Sequence, residues 1–267
     1  QQLLSVFQIF IFLNNLIVNW LHKPIKSYEK KAQFSLRDLE FAMQPGDILL
    51  VEGNQRVSSA IKYLTQSTWS HAAFYIGQNN KFSEKFGNES ILIESDLKNG
   101  VTTVPLSNYE NFNTRICRPI GLPIEEKEKV IEYMIDSIGL DYDRKNIFDL
   151  MRYLLPQPPI PQRFRRRMIA LGSGTPSKVI CSTLIAKAFQ SVNYPILPII
   201  QKEKEILEEG LYRGVKHSRF IEKEYLHIRH HSLFVPRDFD LSPYFSAIKP
   251  TIEKGFNYKT LPIKGFN

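Results

Sequence analysis

The chain is poor in cysteine, with only Cys117 and Cys181 among 267 residues. A small secreted scaffold held by disulfides needs more, so stability is expected to come from packing. A single Cys117–Cys181 bridge is the weaker alternative. Cys117 lies in the alternating run Arg115-Ile116-Cys117-Arg118, which reads as a strand holding a small buried hydrophobe. Acidic residues are also the minority, 27 against 35 Lys and Arg, for a formal net charge of +8. Such a surface attracts phospholipid headgroups, acidic polymers or nucleic acid without choosing among them. There is no stripe of interleaved aromatic and basic residues and no nucleic-acid motif, so nucleic acid is not the expected partner. A clean long apolar run is missing too. Residues 1–21 are rich in Leu, Ile, Phe and Val, but Gln8, Asn14, Asn15 and Asn19 interrupt them. A membrane-spanning helix takes about 20 mostly apolar residues, so this segment is borderline. It lacks the basic start and small-residue cleavage pattern of a signal peptide. A membrane-surface anchor and a helix packed on the domain both fit, and Trp20, His22 and Lys23 at its end favour the membrane surface. That favours a membrane-associated or cell-envelope location over a cytoplasmic one.

What is present is the composition of a folded protein, 43% hydrophobic and 12% aromatic. The chain divides into an apolar helix and basic connector at 1–34, a main domain at 35–235 and a tail at 236–267. The main domain carries a Pro- and Arg-rich insertion at 155–168, where prolines forbid regular structure and Arg163, Arg165, Arg166 and Arg167 follow. Lys-Gly-Phe-Asn recurs at 254–257 and 264–267, too short a repeat for a solenoid.

Periodicity supplies the elements. Ser35 with Asp38 predicts a capped helix over 35–43. Ile48 to Val51 reads as a strand after the Pro45-Gly46-Asp47 turn, and Val57, Ala60, Ile61 and Leu64 recur at helical spacing. Strands are predicted over 70–77, from 91, over 101–106 and over 114–120. Their short links suggest an antiparallel meander. Helices are predicted over 125–138, 146–154 and 179–194, and helical character over 199–212 and 218–225.

A cysteine becomes a nucleophile where its thiolate is stabilised, and a helix N-terminus does this through free N–H groups and the dipole. Cys181 stands there, after a Gly-Ser-Gly-Thr-Pro-Ser loop and the pair Val179-Ile180. Such a thiol needs an imidazole within reach. Of the six histidines, His71 is favoured because it opens a strand where a loop meets the sheet edge. If the strands at 70–77 and 91–96 form a hairpin, Glu94 lies near His71 and can orient the ring. A glutamate after three aliphatics is costly to bury without a partner. The bland alternatives are a buried cysteine at a helix start and a Glu94 marking a strand's exposed end. His227, His230 and His231 could hold a metal, but the Cys and Asp spacings that would support this are missing, so no metal and no cofactor are expected.

These residues carry a resemblance. Gly46-Asp47-Ile48-Leu49, Trp69-Ser70-His71-Ala72-Ala73-Phe74-Tyr75-Ile76-Gly77, Ile93-Glu94, Gly100-Val101 through Pro105, Gly139-Leu140-Asp141-Tyr142-Asp143 and Val179-Ile180-Cys181-Ser182 follow one another in order. Together they resemble the circularly permuted YiiX/YebB-like branch of the NlpC-type cysteine hydrolases. The resemblance implies an α+β, papain-like fold with a central antiparallel sheet or barrel packed against helices, plus extra N- and C-terminal segments. The nucleophile helix then follows the sheet in sequence. It implies Cys181 as nucleophile, His71 as base and Glu94 as orienter, with Tyr142 matching a recurrent family aromatic of the cleft; Trp69 is a further candidate for substrate binding. The implied substrate is a peptide, cell-wall or acyl-lipid amide or ester. A non-catalytic binding module on the same fold is the competing class.

Overall fold

The computed structural model describes residues 23–24, 29, 34–77, 91–96, 99–140, 180–212, 215–255, 257 and 259. Residues 1–21, the 155–168 insertion, Tyr142 and the helix predicted over 146–154 lie outside them. The described elements begin with α1 (Leu36–Ala42), β1 (Ile48–Glu52), α2 (Arg56–Thr65), β2 (His71–Gly77), β3 (Ile91–Asp96) and β4 (Gly100–Pro105). A 3₁₀ turn (Leu106–Tyr109), β5 (Asn113–Pro119), α3 (Ile124–Asp136) and α4 (Ile180–Ser191) follow. The chain continues through β6 (Ile199–Tyr212), β7 (Val215–His227), a second 3₁₀ turn (His231–Leu233), α5 (Pro236–Leu241), β8 (Phe245–Ile248) and α6 (Pro250–Glu253).

The local signals act as chemistry requires. Ser35 caps α1 reciprocally: its Oγ accepts from the Asp38 N–H at 3.2 Å and its own N–H donates to Asp38 Oδ2 at 2.8 Å. At the end of β2, Gly77 has φ +78°, and a Cβ there would lie 2.8 Å from Pro45 Cγ, so both backbone and space call for glycine.

Six strands form one antiparallel sheet in the order β4-β3-β2-β1-β5-β8. The meander expected through β5 holds only for the first four strands. After β4 the 3₁₀ turn carries the chain back, and β5 pairs with β1, setting Leu49 beside Ile116 and Ile48 beside Cys117. The reason is burial: β1 is apolar on both faces and needs a strand on each side to satisfy its backbone. Residues beyond 235, read as a tail, supply α5 and the edge strand β8, which pairs with β5.

Strand alternation divides the core in two. One face sets Leu50, Ala72, Phe74 and Ile93 against α3, α4 and α5. The other sets Leu49, Ala73, Tyr75 and Leu92 against α1 and the first 3₁₀ turn.

The helical character expected over 199–212 and 218–225 is wrong. Those residues form a long two-stranded ribbon, β6 with β7. The Lys, Glu and Leu content suits a helix, but the register opposes unlike charges across the strands, as in the Lys202–Glu224 pair at 3.0 Å. The ribbon's return is fixed to α4, where the Gln190 side chain donates to the Arg229 carbonyl at 2.6 Å and Ser182 Oγ to the Phe234 carbonyl at 2.9 Å.

Candidate active site

His71 is the first residue of β2, so its ring sits at the rim of the sheet. Strand parity gives it the same face as Ala73 and Tyr75, and gives Glu94 the face of Leu92. The Phe74–Ile93 register brings the start of β2 alongside the end of β3. His71 Nε2 and Glu94 Oε2 are 2.7 Å apart, with side chains 23% and 11% exposed. Tyr109, the last residue of the first 3₁₀ turn, donates its hydroxyl to the same Glu94 oxygen. Its ring lies stacked on the His71 ring, centroids 6.1 Å apart and planes 29° from parallel.

Cys181 is the second residue of α4 and comes to His71 from the other core face. Its N–H is among the first four of the helix, which have no acceptor one turn back. The thiol is buried, and its sulfur is among the groups that act electrostatically on the His71 ring. An ionised carboxylate only accepts hydrogen bonds, so Nε2 carries the proton it shares with Glu94. That leaves Nδ1 as the nitrogen available to the thiol.

Burial alone would lower the basicity of His71, but the Cys181 sulfur and the Glu94 carboxylate outweigh it and hold the ring well above the ordinary histidine value. Burial likewise works against an ionised Glu94, and the His71 charge and the hydrogen bonds from His71 and Tyr109 reverse it, so its carboxyl falls below the ordinary range.

These directions fix a pH window. A raised His71 contributes stability in full below its ordinary value of 6.5 and loses it as pH rises through the raised value. A lowered Glu94 contributes in full above its ordinary 4.5 and loses it as pH falls through the depressed value. The stability lost in His71→Ala is therefore expected to be greatest between those two values and to shrink on either side. Urea denaturation of both proteins across the range measures it, and a difference that does not vary with pH contradicts the pairing.

Trp69 occupies the rim two residues before His71 and packs on the core that holds Cys181. Its indole N–H donates to Asp240 Oδ2 at 3.0 Å, Arg115 lies 5.2 Å from the ring centroid, and Arg115 pairs with Asp240 at 2.6 Å. With its N–H engaged, Trp69 offers only ring surface. Both cysteines are free, so the bridge considered above does not form. His230 caps the second 3₁₀ turn, its Nδ1 2.7 Å from Ser232 Oγ. Among the described residues no group of three or more His, Cys, Asp or Glu is arranged to hold a metal ion. Among them, too, no helix is long and apolar enough to cross a membrane.

The structure brings His71, Glu94 and Cys181 together, holds Trp69 nearby through Asp240, and does not describe Tyr142. The residue that sequence reasoning missed is Tyr109. It is one of 12 tyrosines, and nothing in its flanking residues sets it apart before the chain is folded.

Comparison with known proteins gives two findings. Residues 42–153 match the family model of the permuted papain-like amidase enzymes, YaeF/YiiX, C92 family. The matched stretch contains His71, Glu94 and Tyr109 and ends before Cys181, and the resemblance read from the sequence is borne out over it. Among solved structures, the metalloprotein YiiX from Escherichia coli O157:H7 is similar at 16% identity and a TM-score of 0.44, over 77% of this chain and 96% of that one. No curated protein matches the chain. The α+β architecture, an antiparallel sheet with helices on both faces, is consistent with a permuted papain-like fold.

Proposed function

We propose that this chain, a permuted papain-like protein of the amidase type over residues 42–153, is a cysteine hydrolase that cleaves an amide or ester through a thioester on Cys181. One observation supports the reading: the His71 imidazole meets the Glu94 carboxylate at 2.7 Å and is acted on by the sulfur of Cys181, the second residue of α4. This is the geometry of nucleophile, base and orienter.

The steps follow from those contacts. His71 Nδ1 takes the proton from Cys181 Sγ, and Glu94 stabilises the imidazolium formed at Nε2. The thiolate attacks the substrate's carbonyl carbon, forming a C–S bond and placing the carbonyl electron pair on oxygen. That oxyanion is opposed by the Cys181 N–H and the positive end of α4. Collapse breaks the bond to the amine or alcohol, which leaves with the proton returned by His71. Water, deprotonated by the same nitrogen, then attacks the thioester, and the acid product departs as the thiol is reprotonated. Trp69 supplies an apolar wall beside this path.

The test is to incubate the protein with a p-nitrophenyl acyl ester and record its intact mass. The expected result is one acyl adduct on Cys181, removed by neutral hydroxylamine as a thioester is, and roughly 10²–10⁴-fold slower to form in His71→Ala. Failure of any adduct to form on the folded protein would return the chain to the class of non-catalytic binding modules.

A further inference from the structure

We infer that Tyr109 is a positioning residue of this site, holding the Glu94 carboxylate and the His71 ring in the one arrangement that leaves Nδ1 facing Cys181. The inference rests on the hydrolase reading above and deepens it.

Two contacts from one side chain make the case. The Tyr109 hydroxyl donates to Glu94 Oε2, the oxygen that also meets His71 Nε2 at 2.7 Å. A carboxylate held by one hydrogen bond can turn about its terminal torsion, which is broad for glutamate. Two donors on one oxygen remove that freedom. The Tyr109 ring lies over the imidazole at 6.1 Å and so limits rotation of His71 about its own side chain. Tyr109 can do this because it is anchored itself: it is 9% exposed, it packs edge-on against Phe112 at 5.9 Å, and the Leu106 that opens its turn is buried in the same cluster.

The electrostatics agree with the geometry. The titratable groups acting on Glu94 are His71 from β2 and Tyr109 from the 3₁₀ turn, while Cys181 from α4 acts on His71. Across the sheet, its register partner on β4 is Thr102, which does not titrate. Of the influences on Glu94, the Tyr109 hydroxyl is the one that a conservative substitution removes without touching the nucleophile or the base.

Tyr109→Phe keeps the ring and deletes the hydroxyl. We expect its Glu94 carboxyl, followed by carbon-13 NMR, to titrate at higher pH than in the wild type. The acidic limb of Cys181 alkylation by iodoacetamide should move up with it, so that at a given pH on that limb the rate falls by up to roughly tenfold, the size of one hydrogen bond to a charged group. An unchanged Glu94 titration in folded Tyr109→Phe overturns the inference. If that variant does not fold, 3-fluorotyrosine at 109 keeps the shape and strengthens the donor, and it should lower the Glu94 titration instead; no shift overturns the inference in the same way. The NMR titration does not need catalysis, so the two readings fail separately. A wild type whose Cys181 resists alkylation sinks the hydrolase, whereas a Glu94 indifferent to the hydroxyl sinks Tyr109.

Discussion

Treated with iodoacetamide at neutral pH, the folded chain is expected to take up one carbamidomethyl group, on Cys181, and the Cys181→Ala variant none. The protein's two thiols sit in opposite circumstances. Cys117 lies in the middle of β5, 1% exposed, and burial, with Asp240 adding to it, pushes its thiol far above the ordinary value. It is therefore inert while the fold holds. Cys181 is buried too, but it stands at a helix start, where backbone N–H groups are free, and its sulfur acts on His71. Loss of the nucleophile should also remove acyl-ester turnover by about 10³-fold or more, since the remaining groups have no atom to form the covalent intermediate. Intact-mass spectrometry reads the labelling, and release of p-nitrophenol reads the turnover. An adduct of equal yield in Cys181→Ala would place the reactive atom elsewhere and end the proposed mechanism.

Phe189→Ala is expected to destabilise the protein by about 3–5 kcal/mol. Phe189 is fully buried at the centre of an aromatic cluster: 6.2 Å from Phe74, 5.2 Å from Phe245 and 5.5 Å from Tyr194, centroid to centroid. Its contacts join α4 to β2 and β8. Truncation leaves a cavity lined by rigid rings that cannot close around it, the circumstance in which large-to-small changes cost most. For a chain of this size each kcal/mol corresponds to about 2–4 °C in melting temperature, so a drop of roughly 10 °C is expected by calorimetry. A drop below about 2 °C would mean that the cluster does not hold α4 in place.

Much of the site was legible before folding, because the hairpin that makes it is a local object. Short continuous apolar runs mark β2 and β3, and a hairpin fixes which ends are neighbours, so Glu94 beside His71 follows from pairing alone. Cys181 was legible through the helix that starts beneath it. Tyr109 was not, since its place depends on where a turn after β4 comes to rest. The return of β5 to β1 was hidden for a related reason: a meander is the local default, and the neighbour chosen instead is set by the burial of β1 on both faces. Ile199–Tyr212 misled through composition. Its lysines and glutamates have good helix propensity, and only the partner strand reveals that they form a ladder.

The order of elements along the chain has a consequence during synthesis. β2 and β3 can pair soon after they emerge from the ribosome, so His71 and Glu94 meet while Cys181 has yet to be translated. When Cys181 does emerge, its helix still lacks Phe234 and Phe245, which complete its bed. The nascent chain therefore carries a Cys181 helix whose packing is incomplete until β8 has been made.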